Sequence, residues 1–151
     1  MIATIDRWVN TWVHRAVSWA RRRSPWILHY NSGGCNGCDI EILDLLTPRY
    51  DVERLGILAE ASPRHADILL CTGPVTRQSR VRLERIYAQM PEPKWVVSVG
   101  TCSCSGGVFH GGYNILGGID QVLPVDLYIP GCPCRPEAII TGLVKLVETI
   151  E

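Results

Sequence analysis

Short apolar segments that alternate with helical patterns constrain the fold of this chain most strongly. Five segments read as strands, namely WILHYN (26–31), VERLGIL (52–58), ADILLCTG (66–73), KWVVSVG (94–100) and VDLYIPG (125–131). Three segments between and after them read as helices: 38–47, 76–89 and 136–149, the last with Pro136 near its first turn. Near-continuous apolar strands alternating with helices predict a parallel sheet covered on both faces. The 151 residues suffice for one domain with its own core.

An N-terminal segment and the helical segment 76–89 have clear amphipathic patterns. Residues 3–22 read as a helix with an apolar arc that consists of Ile5, Trp8, Val9, Trp12, Val13, Ala16 and Trp19. Arginines beside this tryptophan-rich face favour contact with a membrane interface or a partner over packing on the chain's own domain. In the helix 76–89, we predict that Val81, Ile86 and Tyr87 face inward and that the arginines face solvent.

The cysteine content indicates metal or redox chemistry. There are seven cysteines, and the N-terminal stretch lacks the apolar run and cleavage site of a signal peptide. An odd count in a chain expected in the cytoplasm does not suit a disulfide scaffold. The formal net charge of zero gives no general attraction to nucleic acid, and no segment is apolar enough over 18 residues to span a membrane.

Six of the cysteines form three close pairs, each directly after a predicted strand. The pairs are Cys35/Cys38, Cys102/Cys104 and Cys132/Cys134. Because ligands of open parallel sheets gather beyond the carboxyl ends of the strands, the three loops are expected to converge there. The seventh, Cys71, lies within an apolar strand and is expected to be a small buried hydrophobic residue.

The spacing of the cysteines leaves the bound group open. A structural zinc site usually combines two compact knuckles of similar spacing, and only Cys35 and Cys38 have that spacing here. Four thiolates among glycine-rich loops favour an iron–sulfur cluster over zinc. A redox dithiol is less well supported because it needs only one pair.

Four blocks of sequence carry a family resemblance. GGCNGCDIEIL, SPRHADILLCTGPVTRQS, VGTCSCSGGVFH and PVDLYIPGCPCRPEAII resemble the small subunit of membrane-bound energy-converting [NiFe] hydrogenases of the ferredoxin-dependent group 4 type. That family shares ancestry with the 20 kDa terminal-cluster subunit of respiratory complex I. The separation of Cys35 from Cys38 is similar to the hydrogenase pattern, whereas complex I relatives have two adjacent cysteines. The resemblance covers residues 26 to about 147.

The resemblance implies a fold, a cofactor and its ligands. The expected fold is a single flavodoxin-like α/β domain with a mostly parallel sheet over residues 26–151. The amphipathic pattern described above adds a helix before it, within residues 1–25. The implied cofactor is one [4Fe-4S] cluster, the proximal cluster, held by Cys35, Cys38, Cys102 and Cys132. Cys104 and Cys134 stand where relatives commonly have other residues, so their role stays open.

The resemblance also implies an electron-relay function. Such a subunit links ferredoxin oxidation to proton reduction at a Ni-Fe site on the large subunit, reversibly and coupled to ion translocation. The implied partners are the large subunit, a ferredoxin-like multi-cluster subunit and membrane-arm subunits, at the cytoplasmic face of the cell membrane. The alternatives are a complex I-like quinone or sulfur reductase subunit with the same cluster and a zinc-stabilised interaction module.

Two further residues have both a structural and a functional interpretation. Glu41 either stabilises a helix N-terminus as an anion or, as the corresponding family glutamate suggests, transfers protons at the large-subunit interface. Arg77 is either a solvated residue at a helix start or a contact near the cluster. His110 and Tyr113 are expected at the subunit interface.

Overall fold

A computed structural model describes the backbone of residues 2–150 and the side chains of residues 12, 13 and 15–150. The helices are α1 (Ile2–Arg23), α2 (Gly37–Asp44), α3 (Arg77–Gln89), α4 (Thr101–Ser105) and α5 (Pro136–Thr149). The strands are β1 (Trp26–Asn31), β2 (Leu58–Ala59), β3 (Ile68–Thr72), β4 (Val75–Thr76), β5 (Trp95–Val99), β6 (Ile115–Gly117) and β7 (Leu127–Ile129).

Five strands form one parallel sheet in the order β2-β1-β3-β5-β7. Ile27 pairs with Ile68, Ile68 with Trp95, and Val97 with Leu127. Numbered within the sheet alone, this order is 2-1-3-4-5, which is the flavodoxin-like order with its switch point between the first and third strands. The predicted α/β fold with a mostly parallel sheet is therefore confirmed.

The two central strands, β3 and β5, are buried on both faces of the sheet, as their continuous apolar runs predict. On the central strand β3, Ile68 and Leu70 pack with α2 and α5, whereas Leu69 and Cys71 pack with Leu83 of α3 on the other face. Alternate side chains of a strand point to opposite faces, so a strand covered on both sides is apolar at every position. Cys71 is buried within this core, as expected.

The predicted strand over 52–58 is wrong. Residues Val52–Leu55 form a 3-10 turn, and only Leu58–Ala59 pairs with β1. Gly56 adopts a φ of +84°, which interrupts an extended run, while Val52 and Ile57 reach the core from the turn. Buried apolar residues spaced along a turn look like a strand in sequence.

The predicted inward face of α3 is partly wrong. Val81 is 47% exposed, while Leu83 is fully buried and Ile86 and Tyr87 are partly buried against it. Residues two positions apart lie about 200° apart on a helix, so Leu83 and Val81 cannot share the inward face. The helix predicted over 38–47 is also shorter, because α2 ends at Asp44 and continues as turns.

Helix α1 meets the domain through its last turn. Arg21 Nε lies 2.8 Å from Asp67 Oδ1, and Arg22 donates to the carbonyl of Ile150. Farther towards its start, Trp12 and Trp19 are 66% and 62% exposed. The side chains of Ile5, Trp8 and Val9 in the predicted apolar arc lie outside the described residues, as do Met1 and Glu151 at the predicted domain limits. Among the helices of residues 2–150, none is long and apolar enough to cross a bilayer.

Candidate metal centre

A cavity lies at the carboxyl edge of the sheet, beside the switch point. Its wall comes from the loops after β1, β3, β5 and β7, and it contains Cys35, Cys38, Cys102 and Cys132. The cavity measures about 80 Å³. A single water needs roughly 10–15 Å³ by this measure, so the space suits a group of several atoms. The predicted convergence of the three cysteine loops therefore occurs, and cysteine is the side chain that supplies the thiolate ligands of iron–sulfur clusters.

The second cysteine of each later pair points away from this cavity. Cys104 Sγ lies 3.5 Å from Ser98 Oγ and 3.8 Å from the Ser98 carbonyl oxygen. Cys134 is 1% exposed and belongs to the core beside α2 and α5. Burial raises the pKa of the Cys134 thiol to about 11, with a smaller contribution from the charge of Cys38. Neither side chain reaches the cavity wall, whereas Cys102 and Cys132 form part of it.

Glycine backbone packs directly against two of the cavity sulfurs. A Cβ atom on Gly100 would stand 2.4 Å from Cys38 Sγ, and one on Gly107 would stand 2.9 Å from Cys102 Sγ. Both distances are shorter than real Cβ contacts, and both glycines have positive φ values, +91° and +52°. A larger residue at either position would displace the sulfur, so the glycines form a cradle that fixes where the thiols lie.

Backbone N–H groups also face the sulfurs. The N–H of Cys134 favours the thiolate of Cys38, and the N–H of Val108 favours that of Cys102. Burial nevertheless raises the pKa of both thiols, and at Cys102 the neighbouring charge of Cys132 raises it further. Neighbouring thiolates repel each other unless positive charge offsets their own. A bound metal group would provide that positive charge.

A polar network behind Cys38 was missed by the sequence analysis. The Asp39 carboxylate accepts hydrogen bonds from Asn31 and Thr72, and His29 Nε2 lies 2.9 Å from Asp39 Oδ1. The side-chain oxygen of Asn31 accepts the N–H groups of Gly33 and Gly34 at 2.8 and 2.7 Å. Asn31 and Asp39 therefore tie the loop that carries Cys35 to the ends of β1 and β3. The signal in the sequence is an acid directly after the second cysteine, at the first turn of a helix.

Glu41 lies on α2 but outside the cavity wall. It lines a separate shallow groove with Ile40, Leu43, Asp44 and Thr47. Its charge reaches Cys134 and contributes to raising the pKa of that thiol. Glu41 is thus near the cysteine loops without contacting the cavity itself.

Exposed apolar side chains occur on two elements that follow cavity cysteines in the chain. Ile40 and Leu43 project from α2, and Val108 and Tyr113 project from the loop after α4, with Tyr113 exposed to 95%. His110 is also exposed, with Nδ1 3.2 Å from the Ser105 carbonyl oxygen. Large exposed apolar groups indicate a surface that another protein covers.

Comparisons with known proteins agree with the fold and with the resemblance. The chain is 54% identical over 128 residues to the probable membrane-bound hydrogenase subunit mbhJ of Pyrococcus furiosus, covering 85% of this chain and 77% of that protein. It is 46% identical over 142 residues to an NADH-quinone oxidoreductase subunit of Citrifermentans bemidjiense, covering 94% of this chain and 81% of that protein.

A solved structure resembles the whole domain. The chain superposes on a subunit of the membrane-bound sulfane sulfur reductase, an archaeal respiratory membrane complex, with a TM-score of 0.79 and 43% identity over 90% of this chain and 75% of that one. The family described as NADH ubiquinone oxidoreductase, 20 Kd subunit, matches residues 35–146, from the first cavity cysteine into α5. The predicted relationship to hydrogenase and complex I subunits is confirmed, and the chain belongs to the family of the 20 kDa subunit of NADH:ubiquinone oxidoreductase.

Proposed function

We propose that this chain is the electron-relay small subunit of an energy-converting [NiFe] hydrogenase. In this proposal Cys35, Cys38, Cys102 and Cys132 hold one [4Fe-4S] cluster. One observation carries the proposal: these four cysteines, which come from three loops, line a single cavity. Glycines beside two of the sulfurs leave no room there for a side chain. When bound, such a cluster supplies one-electron transfer.

The spacing of the side chains supports a cluster over a single zinc ion. Among the described side chains, those of residues 12, 13 and 15–150, no three His, Cys, Asp or Glu groups are placed to hold one ion. With Zn–S bonds of about 2.3 Å, a tetrahedral zinc site would need its sulfurs within ~4 Å of each other. Each thiolate of an iron–sulfur cube binds its own iron, so the sulfurs stand farther apart.

The surrounding residues have defined tasks in this proposal. The N–H groups of Cys134 and Val108 stabilise negative charge on two sulfurs, which raises the potential at which the site accepts an electron. Asp39 and Asn31 hold the loop of Cys35 and Cys38 against the sheet.

The proposed partners follow from the exposed surfaces. The exposed apolar side chains on α2 and in the loop after α4, Ile40, Leu43, Val108 and Tyr113, suit a permanent interface with the large subunit that carries the Ni-Fe site. A ferredoxin-like multi-cluster subunit supplies electrons, and membrane-arm subunits couple the reaction to ion movement. Helix α1, with Trp12 and Trp19 exposed, docks at the cytoplasmic face of the cell membrane. Nucleic acid has no part in this proposal.

Glu41 is proposed as a proton-transfer residue at the large-subunit interface. It lines one groove with the exposed side chains of Ile40 and Leu43, which belong to the proposed interface. A carboxylate there would be enclosed once the large subunit has docked. A Glu41→Gln variant that evolves H2 as fast as the unaltered complex would contradict this role.

A second candidate function is sulfane sulfur reduction within a related complex. It is favoured by the similarity to a subunit of the membrane-bound sulfane sulfur reductase, at a TM-score of 0.79. The cavity and its proposed ligands are the same in both cases, so the difference lies in the acceptor on the large subunit.

The test is to purify the complex through a tag on this chain and measure its metals and activities. The proposal expects nickel in the complex and H2 evolution with reduced ferredoxin as donor. Reduction of polysulfide without nickel or H2 evolution would support the second candidate. A complex in which the chain carries zinc and no iron would contradict both.

A further inference from the structure

A second groove lies behind the cysteine cavity, between α2 and the strands β1 and β2. It measures about 400 Å³, opens to solvent and has His29 in its wall; we call it the histidine groove. Asp39 and Thr72 line the cysteine cavity itself. Because His29 Nε2 lies 2.9 Å from Asp39 Oδ1 and 3.2 Å from Thr72 Oγ1, a single layer of side chains separates the two spaces at this point.

Hydrogen bonding fixes which ring nitrogen of His29 can take up a proton. The Thr72 hydroxyl donates its hydrogen to the Asp39 carboxylate, so both oxygens near Nε2 can only accept from the ring. Nε2 therefore carries the hydrogen, and Nδ1 is the basic nitrogen of the neutral ring. The residues that the structure describes give Nδ1 no hydrogen-bond partner, and the His29 side chain is 30% exposed. Water in the histidine groove can thus reach Nδ1.

The groups that face His29 come from three elements. Asp39 of α2 contacts the ring, and Glu60, which follows β2, lines the same groove. Thr72 of β3 contributes a neutral hydroxyl, and none of the lysines and arginines that the structure describes lines the groove. Imidazole is the side chain whose charge ordinarily changes near neutral pH, so His29 is the candidate proton acceptor of this groove.

Charge in the cysteine cavity acts across this layer of side chains. Burial raises the pKa of the Cys38 thiol, and the negative charge of Asp39 adds to that effect. An extra electron on a group bound by Cys38 would act on Asp39 and His29 across the same layer. Two unit charges about 10 Å apart change each other's ionisation roughly tenfold at an effective dielectric constant of about 20. Reduction of the bound group therefore favours a proton on His29.

We propose, resting on the proposed function, that His29 takes up a proton at Nδ1 when the cluster held by this chain is reduced. A one-electron donor is oxidised and the cluster is reduced by one electron. One proton passes to Nδ1 from a hydronium ion or a buffer acid in the histidine groove, so an O–H bond breaks and an N–H bond forms. In the contrasting case, the His29–Asp39 pair only fastens the loop of Cys38 to β1, and the potential of the cluster is independent of His29 protonation.

The test measures the midpoint potential of the cluster in the full chain as a function of pH. The chain is reconstituted with iron and sulfide and titrated with dithionite from pH 5.5 to 8.5, and the reduced cluster is followed by electron paramagnetic resonance. The variant is His29→Gln, whose amide can still donate to Asp39 but cannot take up a proton. The matched control is His65→Gln, at an exposed histidine before β3, towards the opposite edge of the sheet. Iron and sulfide per chain check loading, and circular dichroism checks folding.

We expect the midpoint potential of the unaltered chain to fall as the pH rises, by about 59 mV in total, which is a tenfold change in proton affinity converted for one electron. The His65→Gln chain should show the same fall, and the His29→Gln chain less than about a third of it. A potential that does not change with pH in the unaltered chain, or an equal fall in His29→Gln, would overturn the proposal.

A second measurement decides the case in which His29→Gln binds no iron. Infrared difference spectra of the unaltered chain, with and without nitrogen-15-labelled histidine, are recorded on reduction at pH 7. Bands of neutral imidazole should give way to bands of imidazolium, and spectra without this change would overturn the proposal. An unaltered chain that carries no iron would contradict the proposed function and this inference together, whereas a loaded chain with a flat pH profile would overturn this inference alone.

Discussion

Gly100→Ala is the substitution that most sharply tests how the cavity holds its sulfurs. The added methyl group would stand 2.4 Å from Cys38 Sγ, while ordinary contact begins at 3.4 Å, so the sulfur would have to retreat by about 1 Å. Metal–ligand distances tolerate deviations of only about 0.2 Å. In the metal-free chain the Cys38 side chain can rotate away from the methyl group, but a sulfur bound to iron cannot.

The expected effects on stability and on cluster binding therefore differ. Gly100 has φ +91° and ψ 155°, a region that costs a residue with a side chain about 1–3 kcal/mol. We expect the metal-free variant to lose about that much free energy of unfolding, measured by urea denaturation. Cluster occupancy, measured as iron and acid-labile sulfide per chain after reconstitution, should fall by at least about tenfold.

Gly111→Ala provides the control for backbone strain. Gly111 also has a positive φ, +80°, but a Cβ there would meet nothing within 4 Å. The Gly111→Ala substitution should lower the free energy of unfolding by about 1–2 kcal/mol and leave cluster occupancy unchanged. If the two alanine variants bind equal amounts of iron and sulfide, the glycine cradle does not position Cys38 and the reasoning fails.

Three further predictions concern the ligands, the core and the pH dependence. Cys132→Ala should abolish cluster binding while Cys134→Ala retains it, because only Cys132 lines the cavity. Iron analysis of both variants decides this, and the opposite pattern would mean that Cys134 is the ligand. Leu83→Ala should reduce the free energy of unfolding by about 2–5 kcal/mol and Val81→Ala by under about 1 kcal/mol, because only Leu83 is buried. If urea denaturation gives similar losses for both variants, Leu83 does not lie on the buried face of α3. Burial holds the pKa of Cys38 above its ordinary value, so the thiolate that binds iron becomes more abundant as the pH rises. Cluster reconstitution, followed by visible absorbance, should therefore be faster at pH 8.5 than at pH 6.5. A rate that does not change with pH, or that falls as the pH rises, would refute this.

The strands and helices with strong, long patterns could be predicted from the sequence. Trp26–Asn31 and Pro136–Thr149 coincide with the predicted strand and helix, because a continuous apolar run and a proline at a helix start are local signals. Segment 52–58 could not be assigned correctly, since its apolar residues reach the core from a turn. The two-stranded ribbon of Val75–Thr76 and Ile115–Gly117 is too short to produce a periodicity.

The candidate site was predictable in position but not in detail. Strand order brings all three cysteine loops to one edge, which follows from the sequence pattern alone. The choice of Cys102 over Cys104 depends on which side of the short helix α4 faces the cavity, and Ser98 holds Cys104 on the other side. The contacts of Asp39 with Thr72 and Asn31 join residues from separate strands, so they depend on the tertiary fold.

The central claim, that the four cavity cysteines hold one [4Fe-4S] cluster, is tested most directly by electron paramagnetic resonance of the full chain. The chain is reconstituted with iron and sulfide without oxygen, and spectra are recorded before and after reduction with dithionite. The account predicts about four irons and four sulfides per chain and, on reduction, one S = 1/2 signal that disappears in Cys38→Ala. A chain that binds zinc in preference to iron, or a reduced signal that survives Cys38→Ala unchanged, would contradict it.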